Sequence, residues 1–167
     1  CQLPYQGSPW QAGQRHQTAR GSADGKERAL LQRKGLKMTV EKAITTADAL
    51  RPNNKFAREL KILWLRQSDA VLRRVVVAKS DTTDFDKVGA DVLYDAKTGQ
   101  LADSAQLLAP EPYDDYYPHY LCAQMDVALG ETERYANEMQ LANTAQQGFA
   151  VWCRQHYLPK MATKWRY

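Results

Sequence analysis

Cysteine is scarce in this chain, and so are long apolar runs. The 167 residues hold three cysteines, Cys1, Cys122 and Cys153, an odd count without framework spacing that excludes a disulfide scaffold and suits reduced thiols. No apolar run approaches the roughly 18 to 20 residues of a membrane span, and the first residues lack the apolar centre of a secretory signal. There is no Gly-rich phosphate loop, no GxSxG elbow and no HExxH. Catalysis therefore has no support in the sequence.

Charge is divided unevenly. Residues 1–37 carry seven basic side chains (Arg15, Arg20, Lys26, Arg28, Arg33, Lys34, Lys37) against Asp24 and Glu27, a net of +5. The remaining 16 basic and 17 acidic residues leave the rest of the chain at −1. A neutral balance removes the clustered Lys and Arg that binding to phosphate backbones requires. The leader is rich in Gly, Gln, Ser and Arg and has no stable period, so disorder is expected over 1–37. A basic arm that grips nucleic acid is one reading of it. The other is upstream sequence read through in frame with translation starting at Met38, since Arg33-Lys34-Gly35 is what a purine-rich ribosome-binding stretch would encode. The second reading is the expectation here, with the domain at 38–160 and a C-terminal tail at 161–167.

From Met38 onward the chain has helical periodicity. Thr39 can cap a helix whose stripe is Val40, Ile44, Ala47 and Leu50, ended by Pro52. A second helix is expected from Asn53 or Asn54 to about Ala78, with Phe56, Leu60, Leu63, Trp64, Val71 and Val75 on its inward face. Ser80 to Pro112 reads as a long loop, with a hairpin allowed around Lys97-Thr98-Gly99. A third helix follows a cap at Asp114 or Asp115, accommodates Pro118 in its first turn, and carries Tyr117, Leu121, Met125 and Ala128. Gly130 permits a reversal into a last helix from about Glu131 to His156, with Tyr135, Met139, Ala142, Phe149 and Trp152 inward, ended by Pro159. The predicted fold is a small all-α bundle with a C-terminal αα-hairpin and one long internal loop.

Three constellations carry candidate chemistry. His119 with Cys122, and Cys153 with His156, form i, i+3 pairs that an antiparallel hairpin could bring to one zinc ion. The bland alternative is a pair of buried thiols and two surface histidines, and the expectation is no metal and no cofactor. Such a pair on one helix also offers no oxyanion donors for nucleophilic catalysis. Asp84, Asp86, Gly89 and Asp95 fall at positions 1, 3, 6 and 12 of a calcium loop, but Val88 stands where an oxygen ligand is needed and no Glu closes the loop. In "PEPYDDYYPHY" the four tyrosines cannot all face one core, so the cluster reads either as helix-start packing or as a protein interface.

The segments "MTVEKAITTADALRPN", "ELKILWLRQSDAVL" and above all "LLAPEPYDDYYPHYLCAQMDVALGETERYANEMQLANTAQQGFAVWCRQHYLPK" resemble the head–tail connector (adaptor, head-completion) proteins of tailed bacteriophages and prophages of Gram-positive bacteria. The similarity runs from Met38 to about Lys160 and is weakest over Ser80 to Gln100. It implies a non-enzymatic, all-α virion subunit, made in the host cytoplasm and located in the neck. There it would form a ring of about twelve copies under the portal, extend the DNA channel and present a platform to the next neck or tail-completion protein. Its implied partners are the portal protein, the downstream neck protein, further copies of itself and passing DNA, with no membrane. Tyr113, Asp114, Asp115, Tyr116 and Tyr117, together with Trp165 and Tyr167 of the tail, are the expected docking residues. The competing class is a small helical nucleic-acid-binding module that uses the basic leader and a face bearing Lys55, Arg58 and Lys61.

Overall fold

The computed structural model describes residues 37–160. The expectations for the leader up to residue 36 and for Trp165 and Tyr167 lie outside the described residues; Lys37, expected to be disordered with the leader, instead stands in a strand paired with Pro110. The first helix, α1 (Val40–Leu50), starts where the sequence places it: the Thr39 hydroxyl accepts a hydrogen bond from Lys42 N at 3.3 Å and Glu41 sits in the first turn. It stops at Arg51, before Pro52, and buries Val40, Ala43, Ile44 and Ala47.

The second helix, α2 (Arg58–Val75), begins later than its periodicity suggests. Asn53 takes a positive φ of 72°, and the Asn54 amide donates to Asp48 and to the Arg51 carbonyl, so these residues form a turn. A 3-10 turn, Val77–Lys79, follows. The larger correction concerns which face of α2 is buried. The core side is Ile62, Leu65 and Leu72 with Lys61, Ser68 and Asp69, while Leu60 and Leu63 remain 37% and 44% exposed. The helix carries two apolar stripes, and periodicity alone does not say which one meets the core.

The 80–112 region is less of a loop than expected. It holds the short helix α3 (Ala90–Leu93) and a strand, Gln106–Pro110, that pairs antiparallel with Lys37–Thr39. These two strands, β1 (Lys37–Thr39) and β2 (Gln106–Pro110), make the chain predominantly helical rather than purely all-α. The ribbon escaped the sequence reading because its two strands lie roughly 70 positions apart, beyond the reach of any local pattern. The turn at Lys97–Gly99 does form, with Gly99 at φ 69°, but it closes only a single bridge between Asp95 and Gln100.

Helix α4 (Tyr116–Ala128) is the centre of the molecule, buried along almost its whole length, as a helix apolar on all sides must be. Pro118 stands in its first turn. Gly130 at φ 78° reverses the chain into α5 (Thr132–His156), completing the expected αα-hairpin. Helices α1, α2 and α5 all pack on α4. Among the described residues no helix is long and apolar enough to cross a membrane.

Candidate functional site: buried polar centres and exposed faces

Asp69 organises the interior. It occupies the phase of Ile62, Leu65 and Leu72 on α2 and is fully buried. Its Oδ2 accepts from Ala90 N (2.5 Å) at the start of α3, and its Oδ1 accepts from Leu108 N (3.3 Å) in β2 and from the Tyr117 hydroxyl (2.6 Å) in α4. Tyr117 Oη in turn accepts from Ala109 N at 2.7 Å. One carboxyl thus joins four elements. Burial pushes its pKa up to about 7 against the lowering pull of its donors, and burial likewise pushes the Tyr117 phenol well above its ordinary value. A polar residue recurring in the phase of the buried apolar ones was the available signal for this centre, and the sequence reading passed over it.

Beside it, Arg73 donates to the Phe85 carbonyl (3.0 Å), to the Val88 carbonyl (2.7 Å) and to both oxygens of Asp91. This guanidinium pins the stretch that carries the calcium-loop spacing. Asp84 accepts from the Tyr157 hydroxyl and Asp95 caps its own turn, so Asp84, Asp86 and Asp95 do not converge.

A second ionic cluster locks the hairpin. Arg51, at the end of α1, donates to both oxygens of Asp126 (3.0 and 2.8 Å) and to Glu138 Oε1 (2.8 Å), while His119 Nδ1 lies 2.7 Å from Glu138 Oε2. The hydrogen bond to Asp126 raises the Arg51 pKa further above its ordinary value. This cluster also keeps the four zinc candidates apart. The hairpin register sets His119 opposite Glu138, about four turns short of Cys153. Cys122 faces the Ala47 carbonyl of α1, and His156 donates to the Trp152 carbonyl and stacks on the Trp152 ring with centroids 4.4 Å apart. Burial pushes both the Cys122 and the Cys153 thiols up to about 12, away from the thiolate a metal needs. Among the described residues no group of three or more His, Cys, Asp or Glu is placed to hold a metal ion.

The tyrosine cluster divides. Tyr116, Tyr117 and Asp114 are buried, so these three expected docking residues are corrected to structural ones: Tyr116 rests on Tyr117 and Tyr120, and Tyr117 serves Asp69. The cause is that α4 is surrounded on all sides. Tyr113 stays half-buried, its ring against Phe149 and against Gly148, where an added Cβ would lie 2.9 Å from it. Asp115 is exposed. Only Tyr113 and Asp115 of the five remain available at the surface.

The surface of this unit carries two unlike helical faces. On α2, Leu60 and Leu63 are exposed on an apolar stripe that continues through the half-buried Trp64 and Val71, and the ring of Phe56, itself packed against the core, meets Trp64 edge-on at 5.5 Å. On α5 no ionisable side chain other than Cys153 occurs from Met139 to Cys153, and Leu141 and Val151 stand 50% and 43% exposed beside Gln140, Thr144 and Gln147. Depletion of charge marks the centre of protein contacts. Between the end of α2 and the last turns of α5 lies a cleft of about 430 Å³, floored by Val75, Val76 and Ala150 and edged by Lys79 and Arg154.

Two of the three basic residues expected to face nucleic acid are paired within the molecule. Lys61 is buried with its Nζ 2.6 Å from Asp48, and Arg58 pairs with Asp103, which leaves Lys55 alone of the three without a salt bridge among the described residues. Comparison with protein-family models, with curated proteins and with solved structures finds no match.

Proposed function

We propose that this chain is a structural subunit of a tailed-phage neck, a head–tail connector that assembles as a ring on the portal and carries the DNA channel toward the tail. The observation that carries the reading is the second apolar stripe of α2. Leu60 and Leu63 stand exposed there, and the half-buried Trp64 and Val71 continue the stripe over about three helical turns beside the face that fills the core. A unit near neutral from Met38 onward, with such a stripe and a separate charge-free helix face, suits a subunit covered by neighbours on more than one side, and a ring requires two different complementary faces on each copy. The block from Met38 to about Lys160 that resembles connectors takes in α1, α2, α4 and α5, and the resemblance is weakest over Ser80 to Gln100. The reading assigns no reaction to the protein.

Mixing the chain with the portal ring of the same genome and measuring the native mass of the product tests it. The expected result is a gain of about one copy per portal subunit. A folded chain that adds no mass to the portal refutes portal docking.

A further inference from the structure

We propose that the Glu111–Asp115 turn of one copy docks in the cleft between α2 and α5 of a second copy, as the head-to-tail contact of an assembly of this chain. The inference rests on the connector reading, which supplies the need for such a contact, and the surface itself is read from charge and position.

Lys79 and Arg154 are the only ionised groups lining the cleft, and neither makes a salt bridge among the described residues. Between them the lining mixes the apolar Val75, Val76 and Ala150 with Ser80, Gln146 and Gln147. On the other side of α5, Glu111, Pro112 and Asp115 are exposed on the turn before α4, and neither carboxylate takes part in a salt bridge among the described residues. The cleft thus offers two cations without salt bridges beside apolar surface, and the turn offers two such anions around an exposed proline ring. Opposite charges of this kind set the register of a contact and speed its formation.

Their placement excludes a closed pair. The turn is fixed to α5 through Tyr113, whose ring lies on Gly148 and Phe149, whereas the cleft uses Gln146, Gln147, Ala150 and Arg154. At about 100° per residue these two sets fall on opposite sides of α5. A two-fold axis cannot bring both sides of one copy against both sides of another, so the contact repeats from copy to copy. The charge-free outer face of α5, with Leu141 and Val151, runs between the two sides.

Charge reversal tests the contact with the full chain, because all four charged residues are exposed. The variants Lys79→Glu/Arg154→Glu and Glu111→Lys/Asp115→Lys are compared with the wild type by sedimentation equilibrium at low and high salt. The wild type is expected to associate with concentration and to lose association as salt rises. Each variant alone is expected to associate at least about ten-fold more weakly, and their equimolar mixture, in which reversed cleft meets reversed turn, to return to within about three-fold of the wild type. A wild type that stays monomeric to its solubility limit, or reversals that leave association unchanged, overturns the contact. Portal addition by the wild type is measured in parallel. A mass gain on the portal beside an overturned contact leaves the connector reading standing, and no gain brings that reading down as well.

Discussion

Replacing Asp69 by asparagine should destabilise the fold at acidic pH and have little effect, or the opposite effect, near pH 8. The carboxyl serves three donors, Ala90 N, Leu108 N and the Tyr117 hydroxyl. A protonated carboxyl still accepts at both oxygens, whereas an amide nitrogen cannot, so Asp69→Asn leaves one buried N–H unpaired, that of Ala90 or of Leu108, at a cost of about 1–3 kcal/mol. The wild type carries a compensating penalty. Its folded pKa is raised to about 7 from 3.8, so between those values the native state holds a proton that the unfolded chain has released. Its contribution is therefore fully present below pH 3.8 and is lost as pH rises through 7. At about 1.4 kcal/mol per pH unit, the wild type loses roughly 2–3 kcal/mol between pH 5 and pH 7 that the asparagine variant does not lose. Urea unfolding of both proteins from pH 5 to 8, with coincident circular dichroism and fluorescence transitions, measures the difference. Other titrating groups are common to both chains and cancel. Stability curves that run parallel across this range would show that Asp69 ionises freely in the fold, and would refute the assignment of burial as the dominant effect.

Removing Arg51 should cost more than its own exposure suggests, because Asp126 is only 1% exposed and would be left without its guanidinium partner. Arg51→Met is expected to lower stability by about 2–4 kcal/mol, and adding Asp126→Asn should recover part of that loss, a double-mutant cycle in urea measuring the coupling. Gly148→Ala reverses the usual helix preference: the gain of about 1 kcal/mol from replacing a helical glycine is outweighed by the Tyr113 ring 2.9 Å from the new Cβ, and thermal unfolding should show net loss. Leu60→Lys/Leu63→Lys should leave stability within about 0.5 kcal/mol, since both side chains are already exposed. If the α2 stripe is covered in the assembly, the same variant loses its mass gain on the portal, and unchanged gain would remove the stripe from the contact.

Much of the helical layout is written locally. The Thr39 cap, the stop at Pro52, Pro118 in a first turn and Gly130 at the reversal follow from the backbone chemistry of single residues, so α1 and the α4–α5 hairpin were legible. The same local reading puts Leu60, Leu63, Trp64, Val71 and Val75 on one helical face and turns all of it inward; Trp64 and Val75 do reach the core, as does Phe56 from before the helix, while Leu60 and Leu63 stay exposed. For the tyrosine cluster the packing alternative holds for Tyr117 and Tyr120, and Tyr116, expected with Tyr117 at a docking surface, is central as well, because α4 is buried along most of its length.

What the sequence by itself determined is the four longer helices, the Thr39 cap and the reversal that pairs the last two, since these depend on torsion preferences and on contacts within a turn or two; Asp115 stands at the start of α4 but makes no capping hydrogen bond. Tertiary structure alone decided which stripe of α2 became core, that β1 would meet β2, and that Asp69, Tyr117 and two backbone amides would share one buried centre. Those outcomes turn on groups dozens of positions apart, and a buried carboxyl is tolerable only where donors from other elements arrive to meet it. The exposed faces are decided there too, because a surface is whatever the packed core leaves uncovered.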